Sequence, residues 1–213
     1  MKNPLIFVAF SALVACGPLV EGNTASKVSA AVKSRFTQPD AEAIPTYTFA
    51  DLAASETPVI LAAVPSLEVA DVFQRIGSNG NQETWISSIG MTITLDGGII
   101  VATRGFGEDI YAADTRGLLA ALRRGTGTYS RRIEQLDSSD DVIRMEFSCE
   151  LETVGQDHVT ILDRSFGAMK LQETCRNEDV AFANYYWVNG SRDVVQSQQW
   201  LGKSVGHATT QQF

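Results

Sequence analysis

Residues 184–200, NYYWVNGSRDVVQSQQW, contain two strand-like segments on either side of a turn signal. Alternation along the first segment places Tyr185 and Trp187 on one face and Tyr186 and Val188 on the other. Because both faces then carry large side chains, we expect this strand to lie between two packed layers. The alternative interpretation is that the aromatic row forms an exposed sugar-binding surface.

The turn between these segments decides how they pair. A loop of two residues, 189–190, would place a serine opposite Val188. A loop of four residues, 189–192, would instead pair Trp187 with Val194, which is the better apolar match. We therefore predict the longer loop.

Short strands recur through most of the chain. Residues 83–105, ETWISSIGMTITLDGGIIVATRG, contain two strands around Asp96–Gly97, a pair that favours a type I′ hairpin. Further strand-like segments separated by polar turns are SRRIEQL, DVIRMEFSCELET, HVTILDRSF, GAMKLQETC, FANYYWV and VVQSQQWL. The predicted fold class is mainly β, with antiparallel meander sheets packed as a sandwich or a partly open barrel.

One N-terminal helix and one short internal helix are expected beside the strands. Residues 23–36, NTASKVSAAVKSRF, show apolar side chains at helical spacing, and this helix either spaces the domain from a membrane or docks on it. Residues 114–125, DTRGLLAALRRG, predict a helix that is capped by Asp114 and ended by Gly125.

The first residues, MKNPLIFVAFSALVAC, have the features of a secretion signal. Lys2 precedes an apolar run that is shorter than the ~20 residues a membrane-spanning helix needs. The sequence LVAC followed by Gly17 resembles a bacterial lipobox, which implies cleavage before Cys16 and lipidation of its sulfur. Gly17 is not the aspartate that retains such proteins at the inner membrane, so we expect a lipid anchor at the periplasmic face of the outer membrane.

This interpretation divides the chain into three parts. Residues 1–15 are the signal peptide, residues 16–45 are the lipidated N-terminus with its helix and linker, and residues 46–213 are a β-rich periplasmic domain.

Three cysteines are present, and lipidation of Cys16 would leave an even pair. Cys149 and Cys175 then form a disulfide in an oxidising compartment, or remain as two buried thiols. No CxxC motif occurs and the two histidines are isolated, so no metal and no cofactor is predicted.

The formal net charge of −8 and the lack of a basic stripe argue against nucleic acid or an anionic membrane surface as a partner. No serine-hydrolase, zinc-protease, S-x-x-K or Walker motif is found. The carboxylate pairs Glu108–Asp109 and Asp140–Asp141 are the acid/base candidates for glycan cleavage, which needs two carboxyl groups ~5 to 10 Å apart. Such pairs more commonly occupy solvated turns.

Several motifs in a fixed order resemble the YjbF/GfcB group-four-capsule lipoproteins over roughly residues 55–203. The matching residues are Trp85, Thr103, Arg104, Gly105, Gly107, Asp109, Ile110, Trp187, Ser197, Gln199 and Trp200. That family usually places a turn glycine where this chain has Arg192. The resemblance implies a mostly β periplasmic lipoprotein associated with capsule or exopolysaccharide production, without known catalytic residues or a cofactor.

The first functional hypothesis is therefore a non-enzymatic accessory lipoprotein in capsule or exopolysaccharide assembly or export. The alternatives are an enzyme that modifies or cleaves polysaccharide through paired carboxylates, and a structural envelope lipoprotein that binds only other proteins. The partners would be the membrane, through the lipid anchor, and polysaccharide or polysaccharide-export proteins. The candidate glycan or partner surface consists of Trp85, Arg104, Asp109, Tyr185, Trp187 and Trp200.

Overall fold

Alternating apolar and polar side chains place most of the described chain in strands. The computed structural model describes residues 47–137, 139 and 141–213. Its helices and strands are α1 (Phe49–Ala53), β1 (Val59–Val64), a 3-10 turn (Pro65–Leu67), β2 (Val69–Asn79), β3 (Gln82–Ile86), β4 (Thr92–Asp96), β5 (Ile99–Arg104), β6 (Ile110–Ala113), α2 (Arg116–Arg124), β7 (Gly127–Leu136), β8 (Val142–Ile161), β9 (Arg164–Arg176), β10 (Ala181–Val188), β11 (Val194–Gly202) and β12 (Gly206–Gln212). The predicted signal peptide, Cys16, the 23–36 helix and the linker lie outside the described residues.

The strands form one antiparallel sheet of twelve strands in the order β5-β4-β3-β2-β1-β12-β11-β10-β9-β8-β7-β6. Strands that follow each other in the chain are paired, except β5 and β6, and the first strand pairs with the last. The sheet curls until it is nearly closed as a barrel, with its seam between β5 and β6. The predicted β meander in a partly open barrel is confirmed.

Apolar side chains fill the interior of the curled sheet. Phe182 stacks on Trp200 with ring centroids 4.5 Å apart, and Phe147 contacts both rings edge-on. A smaller apolar cluster lies on the outer side of the sheet, where Phe49 of α1 packs against Phe166 at 5.3 Å. α1 therefore covers the outer side of the sheet around Phe166 of β9, whereas Tyr185 of β10 on the same side still reaches solvent.

The β4–β5 hairpin forms at the predicted place. Its loop consists of Gly97 and Gly98, which both have positive φ (57° and 84°), and Asp96 pairs with Ile99 across it. Positive φ at both central positions is the requirement of a type I′ turn, which glycine meets without strain. The turn is centred one residue later than the Asp96–Gly97 pair.

The predicted pairing of the β10–β11 hairpin is wrong. Val188 pairs with Val194, a bulge follows, and Trp187 pairs with Gln196 rather than Val194. The cause lies in the loop, where the Asn189 side-chain oxygen accepts hydrogen bonds from the backbone N–H groups of Ser191 and Asp193, each at 2.9 Å. These bonds close a loop of residues 189–193, one residue longer than predicted.

The segments DVIRMEFSCELET and HVTILDRSF do not form separate strands. β8 runs without interruption from Val142 to Ile161, and the polar stretch between the two segments contains a bulge between Thr153 and Gly155 instead of a turn. The chain reverses after Ile161, so the residues that follow belong to β9. A bulge absorbs an extra residue without ending the ladder, which is why the polar residues misled the prediction.

The internal helix α2 is present as predicted and ends at Gly125, although Thr115 rather than Asp114 occupies its N-cap position. The Asp114 carboxylate still accepts a hydrogen bond from the Arg116 backbone N–H at 3.0 Å. The short helix α1 was not predicted. None of the helices in the described part of the chain has the length and apolar character needed to cross a membrane.

Candidate functional site

Cys149 and Cys175 lie directly opposite each other on β8 and β9 and form a disulfide, with their Cα atoms 4.1 Å apart. The predicted bridge is confirmed. Within the described residues, the one set of three potential metal ligands in reach of each other is Cys149, Glu173 and Cys175. Because both sulfurs are bonded to each other, neither can supply the thiolate that a metal would need.

Glu173 on β9 is the centre of a buried hydrogen-bond network. Its Oε1 accepts a hydrogen bond from the Tyr129 hydroxyl at 2.8 Å. Its Oε2 accepts from Arg131 Nη1 at 2.7 Å, from Asn184 Nδ2 at 2.6 Å and from the Tyr186 hydroxyl at 3.0 Å. Glu173 and Arg131 are 0% and 3% exposed, so this network serves the interior and not a ligand.

The network keeps Arg131 and its two tyrosines in fixed protonation states. Burial raises the pKa of Tyr129 and Tyr186, and the Glu173 carboxylate raises both further. Burial alone would lower the pKa of Arg131, but the adjacent Glu173 charge outweighs it and the pKa is raised. Arg131 therefore stays charged and both tyrosines stay neutral. The sequence analysis did not single out Glu173. It lies two positions after Leu171 on the same strand, so both side chains point to the interior, and this spacing was a usable signal.

Asp109 holds together the turn that joins β5 to β6. Its Oδ1 accepts hydrogen bonds from the Thr103 hydroxyl at 2.8 Å and the Phe106 backbone N–H at 3.1 Å, and its Oδ2 accepts from the Gly105 N–H at 2.8 Å. The Thr103 hydroxyl oxygen in turn accepts from the Ile110 N–H at 2.9 Å. This network explains the T-R-G-hydrophobic-G-x-D motif as a turn that needs each of these groups.

The Glu108 side chain binds a different loop from the one that Asp109 binds. Its Oε2 accepts a hydrogen bond from the Ser204 backbone N–H at 2.9 Å, in the connection between β11 and β12. The two carboxylates proposed as acid and base thus each anchor backbone groups. Asp140 of the other candidate pair lies outside the described residues.

The three tryptophans are buried, with exposed fractions of 4% for Trp85, 9% for Trp187 and 8% for Trp200. Asp109 is equally buried, so only two of the six predicted surface residues reach solvent, Arg104 and Tyr185. Arg104 lies on β5 at one edge of the sheet, whereas Tyr185 lies on β10, away from both edges. The six residues therefore do not form one surface, and their part in binding stays a prediction.

Tyr185 belongs to a group of side chains on the outer face of β9 and β10. The Lys170 ammonium lies 4.8 Å from the Tyr185 ring centroid and 4.9 Å from the Trp187 ring centroid, within the range of a cation–π contact. The Trp187 indole N–H donates to Asp157 Oδ2 at 2.9 Å. This hydrogen bond, together with one from the His158 backbone N–H, holds the pKa of Asp157 below its ordinary value. Charge, hydrogen bonding and ring packing thus fix this group in place.

Comparisons with solved structures support the fold. The hypothetical lipoprotein YmcC from Escherichia coli K12 superposes with a TM-score of 0.66 at 14% identity, covering 90% of this chain and 95% of that one. A Bacteroides fragilis protein described as having a YmcC-like fold matches with a TM-score of 0.31 at 12% identity, covering 73% of this chain and 92% of that one. At these identities the first match shows a shared fold alone, and the second adds nothing to it.

No curated protein sequence matches the chain significantly. The profile of one protein family does, over residues 25–213, and its description is "Group 4 capsule polysaccharide lipoprotein gfcB, YjbF". The match includes the Asp109 turn, the disulfide and the β10–β11 hairpin. The chain belongs to the YjbF family of group 4 capsule polysaccharide lipoproteins.

Proposed function

We propose that this protein is a non-enzymatic accessory lipoprotein in the assembly or export of a capsular or extracellular polysaccharide. In this proposal Cys16 carries the lipid, and the β domain stands in the periplasm at the outer membrane. Family membership over residues 25–213 is the observation that carries the proposal. The family description names a lipoprotein and a polysaccharide, and it names no reaction.

The side-chain geometry favours an accessory role over catalysis. Glycoside cleavage requires one carboxyl group that can donate a proton and another that acts as base or nucleophile. Asp109 instead accepts three hydrogen bonds from its own turn, and Glu108 is bound to the Ser204 backbone. Both carboxyl groups therefore contact the protein's own loops, and this contact explains their positions without a catalytic role.

Deletion of the gene in the producing strain tests the proposal. We expect the amount of surface polysaccharide to fall, and a plasmid copy of the wild-type protein to restore it. Cys16→Ser should fail to restore it and should release the protein from the membrane fraction, because a lipid anchor depends on the Cys16 sulfur. Gly17→Asp keeps the lipid and changes only the sorting residue, so it should stay in the membrane fraction and is the control for the release caused by Cys16→Ser.

Two outcomes would contradict the proposal. Unchanged polysaccharide in the deletion strain would remove the link to this pathway. Shortening of the purified polysaccharide by the purified protein, measured by size-exclusion chromatography, would make the protein an enzyme.

A further inference from the structure

We propose that the outer face of β9–β12 binds a glycan chain, with Tyr185 packing against a sugar ring and glutamine amides on both sides of it binding the sugar hydroxyl groups. The inference rests on the proposed function, because it assigns a ligand-binding surface to the same lipoprotein. This surface differs from the six-residue surface predicted from the sequence. Of those six residues it contains only the two on β10, Tyr185 and Trp187.

The first row of this face is centred on Tyr185. Gln172 on β9 pairs directly with Tyr185 on β10, Tyr185 pairs with Gln198 on β11, and Gln198 pairs with Thr209 on β12. Directly opposed residues of an antiparallel sheet project from the same face, and neighbouring strands lie ~4.8 Å apart. Leu171 beside this row is fully buried in the interior, so the row itself points outward. All four side chains of the row are half-buried and reach solvent.

The second row lies beside the first and supports it. Lys170, Trp187, Gln196 and Gln211 are paired in the same way across β9, β10, β11 and β12. Gln211 Nε2 donates to Gln196 Oε1 at 2.6 Å, which fixes the orientation of that amide. Trp187 is almost fully buried, so it positions the tyrosine ring at a centroid distance of 6.3 Å rather than meeting a ligand.

The chemistry of the rows matches a sugar. A carboxamide both donates and accepts hydrogen bonds, as a sugar hydroxyl does, and the C–H face of a pyranose packs on an aromatic ring. Lys170 is the one charged residue of the two rows, and the chain as a whole has a net charge of −8. The ligand class is therefore a hydroxyl-rich stretch of polysaccharide that is recognised without ion pairs.

The outer face of β7 and β8 differs from this one. The four neighbouring side chains Thr128, Ser130, Ser148 and Glu150 on that face are small or charged, and none is aromatic. These four positions therefore lack the tyrosine flanked by amides that the β9–β12 rows contain.

Affinity electrophoresis of the full-length protein in a neutral detergent tests the inference. The gels contain dextran, mannan, alginate or the exopolysaccharide purified from the producing strain. We expect retardation by at least one of them, unchanged by added salt, and about tenfold weaker binding by Tyr185→Ala and by Gln198→Ala. Gln198 is half-buried and lies outside the apolar clusters, so its variant keeps the fold even if Tyr185→Ala loses it.

Matched controls lie elsewhere on the sheet. Tyr111 on β6 is an exposed tyrosine with a cation, Arg104, 5.6 Å from its ring centroid, and Gln82 on β3 is an exposed glutamine. Tyr111→Ala and Gln82→Ala should bind as the wild type does.

Three results would overturn the inference. These are no retardation of the wild type in any gel, wild-type affinity in both Tyr185→Ala and Gln198→Ala, or binding to alginate alone that salt abolishes. If the wild type is not retarded while the deletion strain still loses surface polysaccharide, the glycan face is wrong and the accessory function stands. If the rows bind glycan and deletion has no effect on polysaccharide, the accessory function fails instead.

Discussion

Glu173 shows how a single charged residue is accommodated in the interior of this sheet. Removing a carboxylate from water costs several kcal/mol unless a partner charge and hydrogen bonds replace the lost hydration. Here Arg131 supplies the charge, and Tyr129, Asn184 and Tyr186 supply three further donors. The two tyrosine hydroxyl groups are therefore bound to a negative charge, which opposes their ionisation.

Alkaline titration should reveal this arrangement. Since the folded pKa of Tyr129 and Tyr186 is raised, their contribution to stability is complete below the unfolded pKa of about 10 and is lost as the pH rises above it. We expect two of the five tyrosines to ionise only as the protein unfolds, when absorbance at 295 nm is compared with far-ultraviolet circular dichroism. Tyr186→Phe should reduce that delayed group to one. Titration of all five while the sheet persists would contradict the network.

For single residues, the sequence predicted correctly only those features that follow from the alternation of neighbouring positions along one strand. The opposite faces of Tyr185 and Tyr186 follow from neighbouring positions on one strand. Two of the four partners of Glu173, by contrast, lie 42 and 44 residues away in the chain, at Arg131 and Tyr129. Among the residues next to Glu173 in the chain, the only signal that separates it from a solvated glutamate is its position on the inward-facing side of β9.

The β10–β11 turn carries strain at one residue. Arg192 adopts a φ of 72°, in the left-handed region that costs a residue with a Cβ atom roughly 1 kcal/mol or more. The resemblance described above predicts a turn glycine at this position. The positive φ of Arg192 gives a physical reason for glycine there.

Arg192→Gly should stabilise the domain by about 1 kcal/mol, because glycine reaches this conformation without a steric penalty. Urea denaturation followed by circular dichroism measures the change. Arg192→Ala is the control, since it removes the guanidinium and keeps the strain, and it should give no gain. A glycine variant no more stable than the alanine variant would show that the turn is not strained.

At the scale of elements, the sequence identified strands better than the points at which they end. Strands with clear alternation, such as β4 and β10, were predicted. The limits of β8 and the β10–β11 loop were not, because a bulge and a side-chain-stabilised loop look like ordinary turns in the sequence. Both depend on hydrogen bonds, such as those of Asn189, that composition does not specify.

For the molecule as a whole, the edge strand β5 is held by a side chain from across the interior. Gln199 on β11 accepts a hydrogen bond from the Ile100 N–H and donates one to the Gly98 carbonyl oxygen, both at 3.0 Å. Its amide also donates to the Ser197 hydroxyl at 2.8 Å. The Gln199 carboxamide thus binds two backbone groups of the β4–β5 hairpin on the side where β5 has no partner strand.

Gln199→Leu should lower the free energy of unfolding by about 2 to 4 kcal/mol, since two buried backbone groups lose their partners. Chemical denaturation measures it. Gln198→Leu is the matched control: it makes the same substitution one position earlier, on the outer face, where the expected change is within about 0.5 kcal/mol. Equal effects of the two variants would mean that the seam does not depend on Gln199.

The sequence predicted a β meander but left sandwich and partly open barrel as equal alternatives. The difference rests on the pairing of β1 with β12, in which Ile60 lies opposite Gln212 at the other end of the described chain. A pairing between such distant residues leaves no pattern in either strand alone. The tryptophans misled for a related reason, because Trp85 and Trp200 are buried in the interior of the curled sheet, and Trp187 is buried in the apolar cluster on its outer side.

The same pairing has a consequence for how the domain is made. Every other strand finds a neighbour that is already synthesised or is next to emerge, so hairpins can form one after another as the chain lengthens. β1 emerges before all of them, yet one of its two edges has no partner until the last strand appears. Closing so distant a contact is slow, and an open strand edge can pair with another chain in the meantime. Loss of β12 would leave both β1 and β11 with free edges, so β12 protects both strands from pairing with another chain.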